Sequence, residues 1–149
     1  MTTHPGPVRH IVPPYLLRHL AATTEPLAEY AMATLTRDQR YRRGRAVAAA
    51  RAGGRTAFAA PGATGPSRLI SDAGGAERLP GRSARTEGAP ATGDPAVDEA
   101  YDGFGATWLL YSQVYGRNSI DGAGLRLLGT VHYGEGYQNA FWNGTRMVF

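Results

Sequence analysis

The sequence predicts an α+β fold, and three observations carry that expectation. Val97, Tyr101, Phe104, Trp108, Tyr111 and Val114 recur at alternating spacings of four and three, the mark of one buried helical face. Leu125, Leu127, Gly129, Val131 and Tyr133 alternate with Arg126, Leu128, Thr130 and His132, which is the period of a strand with one well-buried face. Asn143-Gly144, between Asn139–Trp142 and Thr145–Phe149, reads as a tight hairpin, because Asn-Gly readily takes the positive φ angles such a turn needs.

In chain order, residues 1–13 contain Pro and Gly and read as extended. Pro14 suits the first turn of a short helix through Tyr15, Leu16, Leu17 and Leu20, since no amide hydrogen is needed there. A second helix is expected to start near Thr24 as cap, with Pro26 in its first turn and Leu27, Tyr30, Ala31 and Leu35 on one apolar face, fading into Arg40–Arg45. Residues 46–66 are almost wholly Ala, Gly, Arg and Pro. So few large apolar side chains cannot offset chain entropy, which makes this a flexible linker. Arg68–Asp72 reads as a strand, 73–75 as a turn and 80–93 as loop.

The clearest element is one long helix, about 94–116. Asp94 is its N-cap, Pro95 its first residue, Asp98 and Glu99 complement its dipole, and Gly116 is its stop. Gly103 and Gly105 inside it cost roughly 1 kcal/mol each relative to Ala, so close packing against another element is expected at both. Phe149 falls in the middle of an expected strand, as in a truncated chain.

Composition excludes several classes. There is no Cys among the 149 residues, so neither a disulfide framework, a thiol nucleophile nor a cysteine-bound metal is available. Met1–Pro14 lacks the basic start and apolar run of a Sec signal peptide, and no run of ~18 apolar residues forms a membrane span, which leaves extracellular and cytoplasmic placement both open. The net charge of +4 is uneven: residues 1–60 hold nine Arg against Glu25, Glu29 and Asp38. The Arg37–Arg45 cluster reads as a solvated face, as a face that docks on a more acidic segment, or as a nucleic-acid patch. Only Tyr41 stands near for base stacking, which argues against nucleic acid.

Several stretches resemble one family. The segment 96–107 is similar to the first long helix of thermolysin-like zinc metallopeptidases, and Tyr115–Gly122 resembles the loop that follows it. Thr130–Gly134 and Gln138–Gly144 resemble the strands leading to the substrate cleft, and 79–81 with 85–88 fit the region before the helix. Upstream, Val12-Pro13-Pro14-Tyr15 resembles the Pro-Pro-aromatic motif of prosegments in the protealysin-like branch.

The resemblance implies a prosegment (1–50) acting as inhibitor and folding aid, a linker and processing region (51–66), and the incomplete, strand-rich N-terminal lobe of a catalytic domain (67–149). The implied activity is that of a zinc metalloendopeptidase acting on peptide or protein substrates. Zinc, held by a helical His-Glu-x-x-His motif and a later Glu, and calcium belong to the complete family protein. His4, His10, His19 and His132 are the only histidines and none precedes Glu, so no catalytic or metal-ligating residue is assigned here, and the chain is expected to be inactive alone. The residues carried over as substrate-binding are Asn139 and Ala140, on an edge strand that holds an extended peptide, and Phe141 and Trp142, lining the same cleft. Pro13, Pro14 and Tyr15 form the prosegment motif, whose partner is its own catalytic domain. The alternative is a non-catalytic truncated module that binds or inhibits a related peptidase. His132 reads as structural, since no second ligand stands nearby, and Asp121-Gly122 falls far short of the six to eight oxygens calcium prefers.

Overall fold

The structure, a computed structural model, describes residues 11–23, 27–51 and 64–149, and side chains within these outside 44–51. The cap expected at Thr24 with Pro26 behind it, the extended run expected over 1–10 and the part of the expected linker over 52–63 lie outside the described residues.

Helix α1 (Pro14–Ala21) begins where the sequence predicts, with the Pro13 carbonyl accepting from the Leu16 and Leu17 amides. Helix α2 spans Leu27–Arg51 and does not fade at the Arg cluster. Ala46, Ala48, Ala49 and Ala50 are the best helix formers, and they carry the helix past Gly44 into what composition assigned to the linker. Its buried face is also rotated from expectation. Ala31 and Leu35 are buried, but Leu27 and Tyr30 are exposed, while Thr34 and Asp38 are 0% and 2% exposed. The two helices close around Leu17, Ala31 and Leu35, flanked by Val12, Leu20 and Ala21.

The rest is a five-stranded mixed sheet with one long helix. Strands β1 (Arg68–Asp72), β2 (Arg82–Thr86), β3 (Leu127–Val131), β4 (Phe141–Trp142) and β5 (Met147–Val148) lie in the order β2-β1-β3-β5-β4. The three inner strands are parallel, and β2 and β4 add antiparallel at the edges. Strand β2 corrects the loop expected over 80–93. Arg-Ser-Ala-Arg-Thr has no apolar alternation because only Ala84, with Arg85 half-buried, meets the core from this edge position. Strand β3 is central, so Gly129, Thr130 and Val131 are all buried rather than alternate residues only.

Helix α3 (Pro95–Gln113) is capped by Asp94, whose carboxylate accepts from the Ala96 and Val97 amides. It ends in a turn in which Gly116, at φ 62°, and Arg117 donate to the Ser112 and Tyr111 carbonyls. Val97 and Tyr101 pack with Ile70 and Val131, joined by Ala100, Phe104 and Phe149. Further along, the expected buried stripe opens, and Val114 is 65% exposed. The helix has 19 residues and the strands beneath it five, so the sheet runs out. Of the two glycines, Gly105 is close-packed as expected, since a Cβ there would lie 2.5 Å from Arg68 Nη1, whereas Gly103 faces open space.

Adjacent strand residues point to opposite faces, so Val148 turns away from α3 while Phe149 joins its cluster. On the Val148 side, Tyr133 and Phe141 form a second core with Leu79, Tyr137 and, from α2, Tyr41. The hairpin is present, with Phe141 opposite Val148 and Trp142 opposite Met147. Its turn is held by the Asn143 side-chain oxygen, which accepts from the Thr145 and Arg146 amides, and Gly144 takes φ 105°. Asn139 and Ala140 precede β4 rather than belonging to it.

Candidate peptide-binding edge

Strand β4 is a sheet edge, and its approach, Asn139-Ala140, meets the segment just before α1. The Ala140 carbonyl accepts from the Ile11 amide at 2.9 Å. The Asn139 side chain then takes both backbone polar groups of Val12: its oxygen accepts from the amide at 2.8 Å and its nitrogen donates to the carbonyl at 3.0 Å. That oxygen also accepts from the Ala140 amide at 2.8 Å, which fixes the orientation, because a flipped amide would set donor against donor. One side chain reading an amide and a carbonyl of the same residue is the chemistry of backbone recognition, indifferent to the side chain of the segment held.

A second layer, contributed by α2, lies against the same approach. Thr34 Oγ1 accepts from the Gln138 amide at 3.1 Å. The Asp38 carboxylate accepts from the Tyr137 hydroxyl at 2.8 Å on one oxygen and from the Asn139 side-chain nitrogen at 3.2 Å on the other. Burial, followed by the Asp38 charge, pushes the Tyr137 hydroxyl far above the usual tyrosine range, so it remains a donor. Tyr41 lies 4.3 Å from the Phe141 ring centre, and Tyr133 and Tyr137 meet Phe141 edge-on. At the rim, Glu77 takes Arg37 at 3.0 Å and Arg40 at 3.1 Å. Of the three readings of the Arg cluster, its first two members therefore follow the docking one.

The residues expected at the site are distributed unevenly. Asn139 and Ala140 meet Ile11 and Val12 directly. Phe141 is 1% exposed, beneath the edge rather than lining it, and Trp142 follows on the opposite face of β4, half-buried. Pro13 and Pro14 start α1 immediately after the held segment, and Tyr15 is largely exposed. Sequence reasoning missed Thr34, Asp38, Tyr137 and Glu77. A signal for the first two was present, since they share the 31, 34, 35, 38 stripe of α2, where polar groups imply polar partners.

His132, at φ 52°, places Nδ1 3.0 Å from Asp72 and Nε2 3.7 Å from Asp94, tying β1 to the cap of α3. The Asp121 carboxylate accepts from the Ala123 and Leu125 amides. Among the described residues no three His, Asp or Glu side chains converge to hold a metal.

The family described as "Thermolysin metallopeptidase, catalytic domain" matches residues 72–149. The chain belongs to that family. A relative called "Extracellular metalloprotease", from Pectobacterium carotovorum subsp. carotovorum, is 55% identical over 82 residues, which are 55% of this chain and 24% of the relative. "Protease PrtS" of Photorhabdus sp. (strain Az29) is 49% identical over 82 residues, 55% of this chain and 22% of that protein. A solved structure, "Precursor of Protealysin, Metalloproteinase from Serratia proteamaculans", superposes with a TM-score of 0.73 at 39% identity, covering 95% of this chain and 38% of that one. That cover reaches through α1 and α2, which places the chain in the protealysin-like branch of thermolysin-like proteases. It spans about a quarter of the length of the curated relatives named. No described helix is long and apolar enough to cross a membrane.

Proposed function

We propose that this chain is the N-terminal portion of a zinc metalloendopeptidase precursor, in which Ile11 and Val12 lie along the edge that later holds a peptide substrate. The single observation that carries this reading is the reciprocal pairing of Asn139 with the Val12 backbone, since a substrate offers the same amide and carbonyl. Residues 1–50 are the prosegment, 51–66 the processing region and 67–149 the beginning of the catalytic domain. Asn139 and Ala140 hold the substrate backbone, Phe141 supports the edge from below, and Trp142 extends it. Zinc and its ligands come from the part of the relatives that this chain does not span, and the chain by itself is inactive.

The test is to express the longest product of the gene and assay peptide hydrolysis before and after chelation. Activity that a chelator abolishes and zinc restores, appearing together with N-terminal trimming between Arg45 and Ala60, is the expected result. Metal-independent hydrolysis, or full activity with Met1 still in place, would overturn the reading. The alternative, a truncated module that inhibits a related peptidase, predicts inhibition in trans at micromolar concentration.

A further inference from the structure

The edge holds more than backbone. Two donors, the Tyr137 hydroxyl and the Asn139 side-chain nitrogen, converge on one carboxylate that the fold delivers from a different element, and they take its two oxygens separately at 2.8 and 3.2 Å. That carboxylate, Asp38, is 2% exposed. Burying a charged group is unfavourable unless hydrogen bonds replace its water, so donors placed this way amount to a carboxylate receptor built into the wall of residues 133–141. The receptor adjoins the backbone-reading pair, since the same Asn139 nitrogen donates to both Asp38 and the Val12 carbonyl. Tyr137 is held in place by edge-on contacts to Tyr133 and Phe141, neither of which comes from α2.

We infer that Tyr137 and Asn139 form a subsite for an acidic side chain, filled by Asp38 while α1 and α2 are docked and available to an Asp or Glu of a bound peptide once they have left. The inference rests on the peptide-edge reading above and adds a preference to it. The Asn139 nitrogen donates both to the Val12 carbonyl and to Asp38, so a peptide whose backbone follows the Ile11–Val12 path lies next to the carboxylate site. A neutral amide of the same shape satisfies only one, because its nitrogen would face a donor.

Chemical rescue in the full chain tests this. Asp38→Ala leaves the donors facing a space the size of a small carboxylate, and hydrogen exchange of the Val12 and Gln138 amides reports whether α1 and α2 stay docked. Exchange at both should quicken by about tenfold to a hundredfold, the scale of lost hydrogen bonds to a charged group. Acetate should restore protection where chloride at equal ionic strength and neutral acetamide do not, and adding Tyr137→Phe should abolish the rescue. Acetate behaving like chloride, or rescuing the double variant equally well, overturns the subsite. Should Asp38→Ala not fold, Tyr137→Phe alone is measured: faster Val12 exchange supports the subsite, and unchanged exchange overturns it. A Val12 amide unprotected in the unaltered chain overturns the edge reading and the subsite with it, whereas protection there without acetate rescue overturns the subsite alone.

Discussion

Asn139 pairs with Val12 as one strand residue pairs with another, its side-chain oxygen on the Val12 amide at 2.8 Å and its nitrogen on the Val12 carbonyl at 3.0 Å. Asn139→Ala removes both bonds and the one to Asp38. Docking of Val12 and the helices that follow it should weaken by roughly 1–3 kcal/mol, seen as faster exchange of the Val12 amide. Asn139→Asp should weaken it further near neutral pH, because it sets a second carboxylate against Asp38 in place of a donor.

Thr34 is fully buried and gives its hydroxyl oxygen to the Gln138 amide. Thr34→Val keeps the shape and removes the acceptor, so the cost is that of one unpaired amide, about 1–3 kcal/mol. A urea midpoint lowered for Val and retained for Ser is the expected pattern.

Gly103 and Gly105 lie two residues apart in α3, and alanine should act oppositely at the two. Gly103 faces open space, so Gly103→Ala gains helix propensity, about 0.5–1 kcal/mol. At Gly105 the new methyl group would meet Arg68 Nη1, which cannot simply swing away because Arg68 is bonded to the Tyr101 carbonyl, the Tyr101 hydroxyl and Glu87. Gly105→Ala should lower the thermal midpoint and Gly103→Ala raise it.

Glu87 is held below its ordinary carboxyl range, first by its hydrogen bond from Arg68 and then by that guanidinium's charge, against an opposing desolvation effect. A depressed folded pKa means that the stabilisation is present above the unfolded value near 4.5 and is lost as pH falls through the folded value. Glu87→Gln should therefore be less stable than the parent at neutral pH, with the gap closing below pH 4.5. Denaturant midpoints across that range measure it.

Legibility varied with the origin of each signal. The cap of α3 was readable from Asp94-Pro95 because its donors lie two and three residues away, and the Asn143-Gly144 hairpin was readable for the same local reason. Strand β2 was not, since Arg82–Thr86 is made a strand by its pairing with β1 and buries almost nothing apolar itself. The apolar stripe of α3 predicted burial that its last turns lack, because periodicity does not measure how far the opposing sheet extends. At the site, resemblance pointed to Asn139 and Ala140, but what they meet lies 127 residues earlier, a separation that no local pattern records.

By itself the sequence determined the local rules: where α1 and α3 begin, where the last hairpin turns, and that Val97 and Tyr101 face the core from α3. These depend on φ preferences, capping donors and periodicity over a few residues. Only the tertiary structure decided that Thr34 and Asp38 are buried, that Phe141 supports the edge from beneath, and that Val12 lies on Asn139. The physical reason is that a polar side chain goes inside only where distant chain supplies the hydrogen bonds that replace water.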